Sequence, residues 1–323
     1  MKTFRHLLAV LVFTAAPVVF ADPVKAPAAL AFLRSADADG KARALQTASI
    51  EYKPTRGVGP SIWLVGVAHL GTKEYFQALQ KRLDRATVVL YEGVGLKDVK
   101  QGPGAVSGGE GVQVALANAL GLSFQLDVID YRRPHFINSD LHVPEMQAEV
   151  RKHSAEGDAP PPDAMLDQLM EALSGTGMTG GALTQMIGLL GATPQMREMT
   201  KVMLVEVLSQ AGEFLEMAKS LSPEMKDLFD VLLTERNAIV LRDLRTQLGR
   251  LRPGDSIAVF YGAAHMDEIA ARLRAELGYA PAAAQWDTAF TASPEQSGIN
   301  PAQIRMMLEM MRTQFQQAQP ATK

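Results

Sequence analysis

Two tetrapeptides in this chain share one local design, Gly66-Val67-Ala68-His69 and Gly262-Ala263-Ala264-His265. Each follows a run of apolar and β-branched residues, and each precedes a stretch with helical spacing. Imidazole works as a metal ligand, an acid or a base near neutral pH, so a histidine at a strand end is a candidate for chemistry. With 26 glycines and 6 histidines, chance placement gives only roughly 0.5 such tetrapeptides in a chain of this composition. Glu92 closes another apolar run, in Leu90-Tyr91-Glu92-Gly93. Two histidines and a carboxylate are a sound ligand set for a divalent metal, with positions left for water and substrate. Such a metal lowers the pKa of bound water and polarises a carbonyl. Either histidine alone reads more simply as a helix cap or a hydrogen-bonded core residue. The trio points to a site.

A further candidate is Thr234-Glu235-Arg236-Asn237. The planar, permanently charged fork of Arg236 could clamp a carboxylate or stabilise an oxyanion. Glu235 could orient a ligand histidine from behind. The plainer reading is a solvated helix face, in keeping with Arg242, Asp243 and Arg245 nearby. His135 and His142 flank Asn138 and Asp140 in one connection; they could line the site entrance, but read first as ordinary solvated loop residues. The chain has no HExxH, no GxSxG elbow and no Walker loop, and Gly93-Val94-Gly95 lacks the third glycine of a dinucleotide fingerprint. It has no cysteine, which excludes disulfides, Cys-ligated zinc, Fe–S clusters and thiol nucleophiles.

The elements that must position these residues follow from periodicity. Ser61 to Ala68 reads as a buried strand, Lys73 to Ala86 as a helix, and Thr87 to Tyr91 as a second strand. That is a βαβ unit, so the two strands are expected to be parallel neighbours. Open parallel sheets bind ligands beyond the carboxyl ends of their strands, where His69, Glu92 and His265 all fall. Gly93 to Gly111 reads as a loop, Val112 to Leu120 as a helix, Ser123 to Ile129 as a third strand, and Pro134 to Pro144 as a connection. A proline-rich turn at Pro160 to Pro162 leads into helices rich in Met and Leu. Those Met residues read first as filling of a helical core, and otherwise as a surface able to accept varied apolar ligands. Ser256 to Tyr261 returns to a strand, with a helix over Asp267 to Leu277 and an edge strand at Gln285 to Phe290.

The expected fold class is therefore α/β, a mostly parallel sheet core with βαβ units and a helical, Met-rich insertion. The expected division is a lead-in over 22–60, an α/β domain over 61–290 with the insertion at about 164–251, and a helical tail over 291–323. Residues 1–21 read as a secretory signal peptide: Lys2 and Arg5, an apolar run from Leu7 to Phe20, and small Val19 and Ala21 before a cut at Asp22. The run is shorter than the roughly 20 residues that span a bilayer. A periplasmic or secreted location is expected. Across all 323 residues, 32 Lys and Arg against 35 Asp and Glu give a net charge of −3, which offers no footprint for nucleic acid.

Trp63 to His69, Val88 to Gly93, Leu233 to Asn237 and Val259 to His265 occur in the order seen in the TraB/PrgY/GumN family, which this chain resembles over roughly Ser61 to Tyr279. That family is related to the Tiki metalloproteases and, more remotely, to erythromycin esterases and haem-binding ChaN proteins. The resemblance implies a site made by His69, Glu92, Arg236 and His265, with peptidase activity and manganese or cobalt favoured, zinc being a further option. Val67 stands where many relatives carry Thr or Ser. The expected function is an exported metal-dependent hydrolase of peptides: His69, Glu92 and His265 hold metal, Glu92 doubles as a candidate general base, and Arg236 and Glu235 assist. The alternative is a non-catalytic binding protein for haem or a peptide.

Overall fold

The computed structural model describes residues 32–93, 111–153, 166–167, 170–171, 177–220 and 222–318. The expected leader, most of the glycine-rich loop and the Pro160 to Pro162 turn lie outside these residues. The stretch read as a polar lead-in instead forms a long hairpin of β1 (Leu33–Ala38) and β2 (Ala42–Pro54). Asp39 and Gly40, both at positive φ, reverse the chain between them. Burial of Leu45, Ala48, Ile50 and Tyr52 ties β2 into the core.

β3 (Ser61–Val67) follows, then a two-residue strand β4 (Leu70–Gly71) and helix α1 (Lys73–Leu83). The Thr72 hydroxyl caps α1 by accepting the Tyr75 N–H at 3.2 Å. Glu74 in the first turn and Lys81 and Arg82 in the last complement the helix dipole. Next come β5 (Val88–Tyr91), α2 (Val112–Leu120), β6 (Ser123–Phe124), β7 (Phe136–Asn138) and α3 (Val143–His153). The helical region holds α4 (Gly177–Leu190), α5 (Pro194–Leu208), α6 (Ala211–Lys219) and α7 (Pro223–Phe229). A π-helical segment, Asp230–Glu235, runs directly into α8 (Arg236–Leu248). β8 (Ser256–Gly262), a single 3-10 turn at Ala263–His265, α9 (Met266–Leu277), β9 (Tyr279–Ala292) and α10 (Pro301–Ala318) complete the chain.

The main sheet has the order β1-β2-β3-β8-β5-β7, with β9 along the other edge of β2. β3, β8, β5 and β7 are parallel, and β1, β2 and β9 pair antiparallel. The α/β fold with a parallel core is thus present, but β3 and β5 are not neighbours. β8 lies between them, pairing Ser61 with Ser256 on one side and Val88 with Ile257 on the other. Local pattern defines a strand without naming its partner, and here the partner comes from the far end of the chain.

Three further expectations are corrected. Of Ser123 to Ile129 only Ser123 and Phe124 form a strand, paired with β4 in a separate small sheet, and Gln125–Val128 turns helical. The connection read at Pro134 to Pro144 contains β7, a parallel edge strand. The final strand is much longer than Gln285 to Phe290 because it follows β2 from end to end.

Side chains alternate across the sheet with the two-residue strand period. Val65, Val67, Val89, Tyr91, Ala258 and Phe260 face one layer, built on α1, α2 and α5. Ile62, Leu64, Leu90, Ile257, Val259 and Tyr261 face the other, built on α8 and α9. Two helices from the expected insertion, α5 and α8, are therefore cover for the sheet itself. No described helix is long and apolar enough to cross a membrane.

Candidate active site

The parallel strands β3, β8 and β5 deliver His69, the Gly262 turn with His265, and Glu92 to the same edge of the sheet. A backbone bond from the Glu92 N–H to the Phe260 carbonyl at 3.0 Å extends the β5–β8 ladder to the carboxylate itself. Glu92 Oε2 then accepts the Gly262 N–H at 2.7 Å. Glu92 Oε1 lies 3.7 Å from His265 Nε2. An ideal Cβ built on Gly262 would stand 3.2 Å from Glu92 Oε2 and 3.3 Å from His69 Nε2. The three residues singled out by spacing therefore surround one point, and the missing Cβ of Gly262 leaves it open.

Both rings are fixed from behind by amides. The Asn237 Nδ2–H donates to Glu268 at 2.8 Å, which turns its oxygen to the His265 ring. His265 Nδ1–H donates to that oxygen at 2.8 Å. Nε2 is left with a lone pair, 3.4 Å from a donating Arg236 Nη1. His69 Nδ1 lies 2.8 Å from Gln125 Oε1, so in the neutral ring the lone pair is on Nε2, the atom that faces Gly262.

Arg236 departs from its expected role. Its Nε–H and one Nη2–H donate to the two oxygens of Asp140, each at 2.8 Å, and Nη2 also donates to Glu92 at 2.6 Å. Nη1 faces the Leu232 carbonyl at 3.1 Å and the His265 ring. All five N–H donors of the guanidinium are engaged, so this arginine organises the site and has no fork to offer a substrate. Asp140, whose side chain is 0 % exposed, also accepts the N–H groups of Gly93 at 2.9 Å and Leu141 at 2.8 Å. Glu235 does not take the ring-orienting position expected of it; Asn237, two residues on, does. A π-helical segment ends at Glu235, immediately before Arg236 opens α8. His142 is largely buried, and with Asp140 it lines a cavity of about 220 Å³ between α3 and α8. His135 bonds the Leu83 carbonyl at 3.4 Å.

Burial alone would raise the Glu92 carboxyl, but the charge of Arg236 foremost, then His265 and His69 when protonated, with the Gly262 N–H, holds it far below the usual carboxylate range. Burial is also the main influence on His265, pulling it down to about 4; Glu92 opposes this while Arg236 and His69 add to it. The site at neutral pH thus pairs an ionised carboxylate with a neutral His265. A carboxylate held so acidic is a feeble proton acceptor, which speaks against a general-base role for Glu92.

No family model matches this chain, and no curated protein or solved structure matches it either. The donors must be judged on their own chemistry. Two imidazoles, each held from behind at Nδ1, are donors of the kind that suit a divalent cation, although His265 Nε2 here accepts from Arg236 and only His69 Nε2 faces Gly262. Among the described residues, however, no three His, Asp or Glu side chains stand together as a metal-holding group. Glu92 is drawn instead to Arg236 and Gly262. The fit is therefore to two imidazoles, the space over Gly262 and a neighbouring anionic charge.

Proposed function

We propose that this chain is an exported, metal-dependent hydrolase that cleaves peptides. The observation that carries the reading is the pair of imidazoles from two separate strand ends, His69 with Nε2 toward Gly262 and His265 with its ring edge there, both beside an ionised Glu92. His69 and His265 would hold the cation through Nε2, with Glu92 supplying negative charge next to it. The cation, when bound, would supply Lewis acidity toward a carbonyl and a more acidic water. Asn237 and Gln125 keep the rings facing inward, Arg236 keeps Glu92 ionised, and Asp140 keeps Arg236 in place. Peptide as substrate, manganese or cobalt as the favoured cation, and export are supported by the resemblance to the TraB/PrgY/GumN family and by the leader-like residues 1–21.

The test is the metal content of the purified protein, wild type beside His69→Ala and His265→Ala, with peptide hydrolysis assayed after adding manganese, cobalt or zinc. Stoichiometric metal and metal-dependent cleavage, both lost in the variants, are expected. A folded wild type with neither metal nor cleavage would overturn the reading and favour a binding protein.

A further inference from the structure

We infer that Gln125 is a positioning residue for His69, deciding which ring nitrogen faces the candidate site. The inference rests on the reading of His69 as a site residue and adds a component from outside the motifs singled out in the sequence. Gln125 holds His69 at two points. Its backbone N–H donates to the His69 carbonyl at 2.9 Å, and its side-chain Oε1 sits 2.8 Å from ring Nδ1. The far end of the amide is engaged as well, its Nε2–H donating to the Tyr131 hydroxyl at 2.6 Å. Gln125 is 3 % exposed and Tyr131 1 %, so bulk water does not compete for these bonds. The pairing of Leu70 with Phe124 in the small sheet is what brings residue 125 beside residue 69. A carbonyl oxygen can only accept, so Nδ1 must carry a proton, and in the neutral ring the lone pair is then on Nε2. Nε2 is the atom that faces Gly262 and Glu92.

The experiment is NMR of protein labelled with ¹⁵N-histidine, treated with chelator so that no cation holds the ring. Wild type is expected to show His69 protonated at Nδ1 alone. Gln125→Glu retains an acceptor at the same reach and keeps that tautomer. Gln125→Met, of similar length without an acceptor, lets the two tautomers average, and zinc then binds roughly 10–100-fold more weakly. His265, held separately by Asn237, keeps its signature in every variant and reports an intact fold. A wild-type His69 tautomer in Gln125→Met, or a reversed one in Gln125→Glu, overturns the inference. Should Gln125→Met disturb His265 too, the Gln125→Glu tautomer alone decides. Failure of the hydrolase reading looks different: no metal and no cleavage, with the His69 tautomer as expected.

Discussion

A methyl group at residue 262 would crowd the space between His69 and Glu92 without straining the backbone, since Gly262 has φ −49° and ψ 138°. Gly262→Ala should therefore leave Tm within about 2–4 °C of wild type and lower metal-dependent hydrolysis roughly 100-fold. Thermal melts beside the peptide assay check both halves. Arg236 carries the opposite balance, because it neutralises two buried carboxylates. Arg236→Met should destabilise the fold by about 3–5 kcal/mol, much of it from leaving Asp140 charged and unpaired. Urea unfolding of Arg236→Met, Asp140→Leu and the double variant would show the double recovering part of that loss. The acid response belongs here too. His265 stays neutral to a lower pH in the fold than in the unfolded chain, so its contribution is complete above about pH 6.5. It is lost as pH falls toward about 4, at up to about 1.4 kcal/mol per pH unit. Glu92, depressed in the fold, adds its own loss below the ordinary carboxylate range. His265→Gln should flatten the upper part of that decline in urea unfolding followed from pH 8 to pH 4.

At the level of elements, the π-helical segment Asp230–Glu235 sets the face that α8 turns to the site. Removing one residue from it would let the helix run on in α form and rotate Arg236 and Asn237 by about 100°. Helix content by circular dichroism should survive that deletion, while hydrolysis should fall to background. The sequence carried no sign of this segment, because helical spacing reads alike for both windings over six residues. β3, β5 and β8 were legible as apolar runs, and His69, Glu92 and His265 by their places at the ends of those runs. β7 was not, since three residues of Phe-Ile-Asn carry too little period to register. Asp140, read only as part of a connection, and Gln125 were not picked out as site residues for a related reason. Each acts through a partner distant in sequence, Arg236 or His69, and no local spacing marks such a bond.

The strand order is a property of the whole molecule, and it places β8 between β3 and β5. Six of its seven residues are buried, as the middle strand of a parallel sheet requires. This arrangement has a consequence for how the chain is made. A ribosome delivers β3 and β5 long before residues 256–262, so the early chain holds two hydrophobic strands whose shared partner does not yet exist. Their open edges are templates for mispairing until the last quarter of the chain arrives. A chain truncated before Ser256 should accordingly stay unfolded or aggregate, and a synthetic strand of residues 256–262 should be captured by it through strand addition. If the chain is exported, that same delay would help keep it loose enough to be threaded through a membrane channel before its sheet can close.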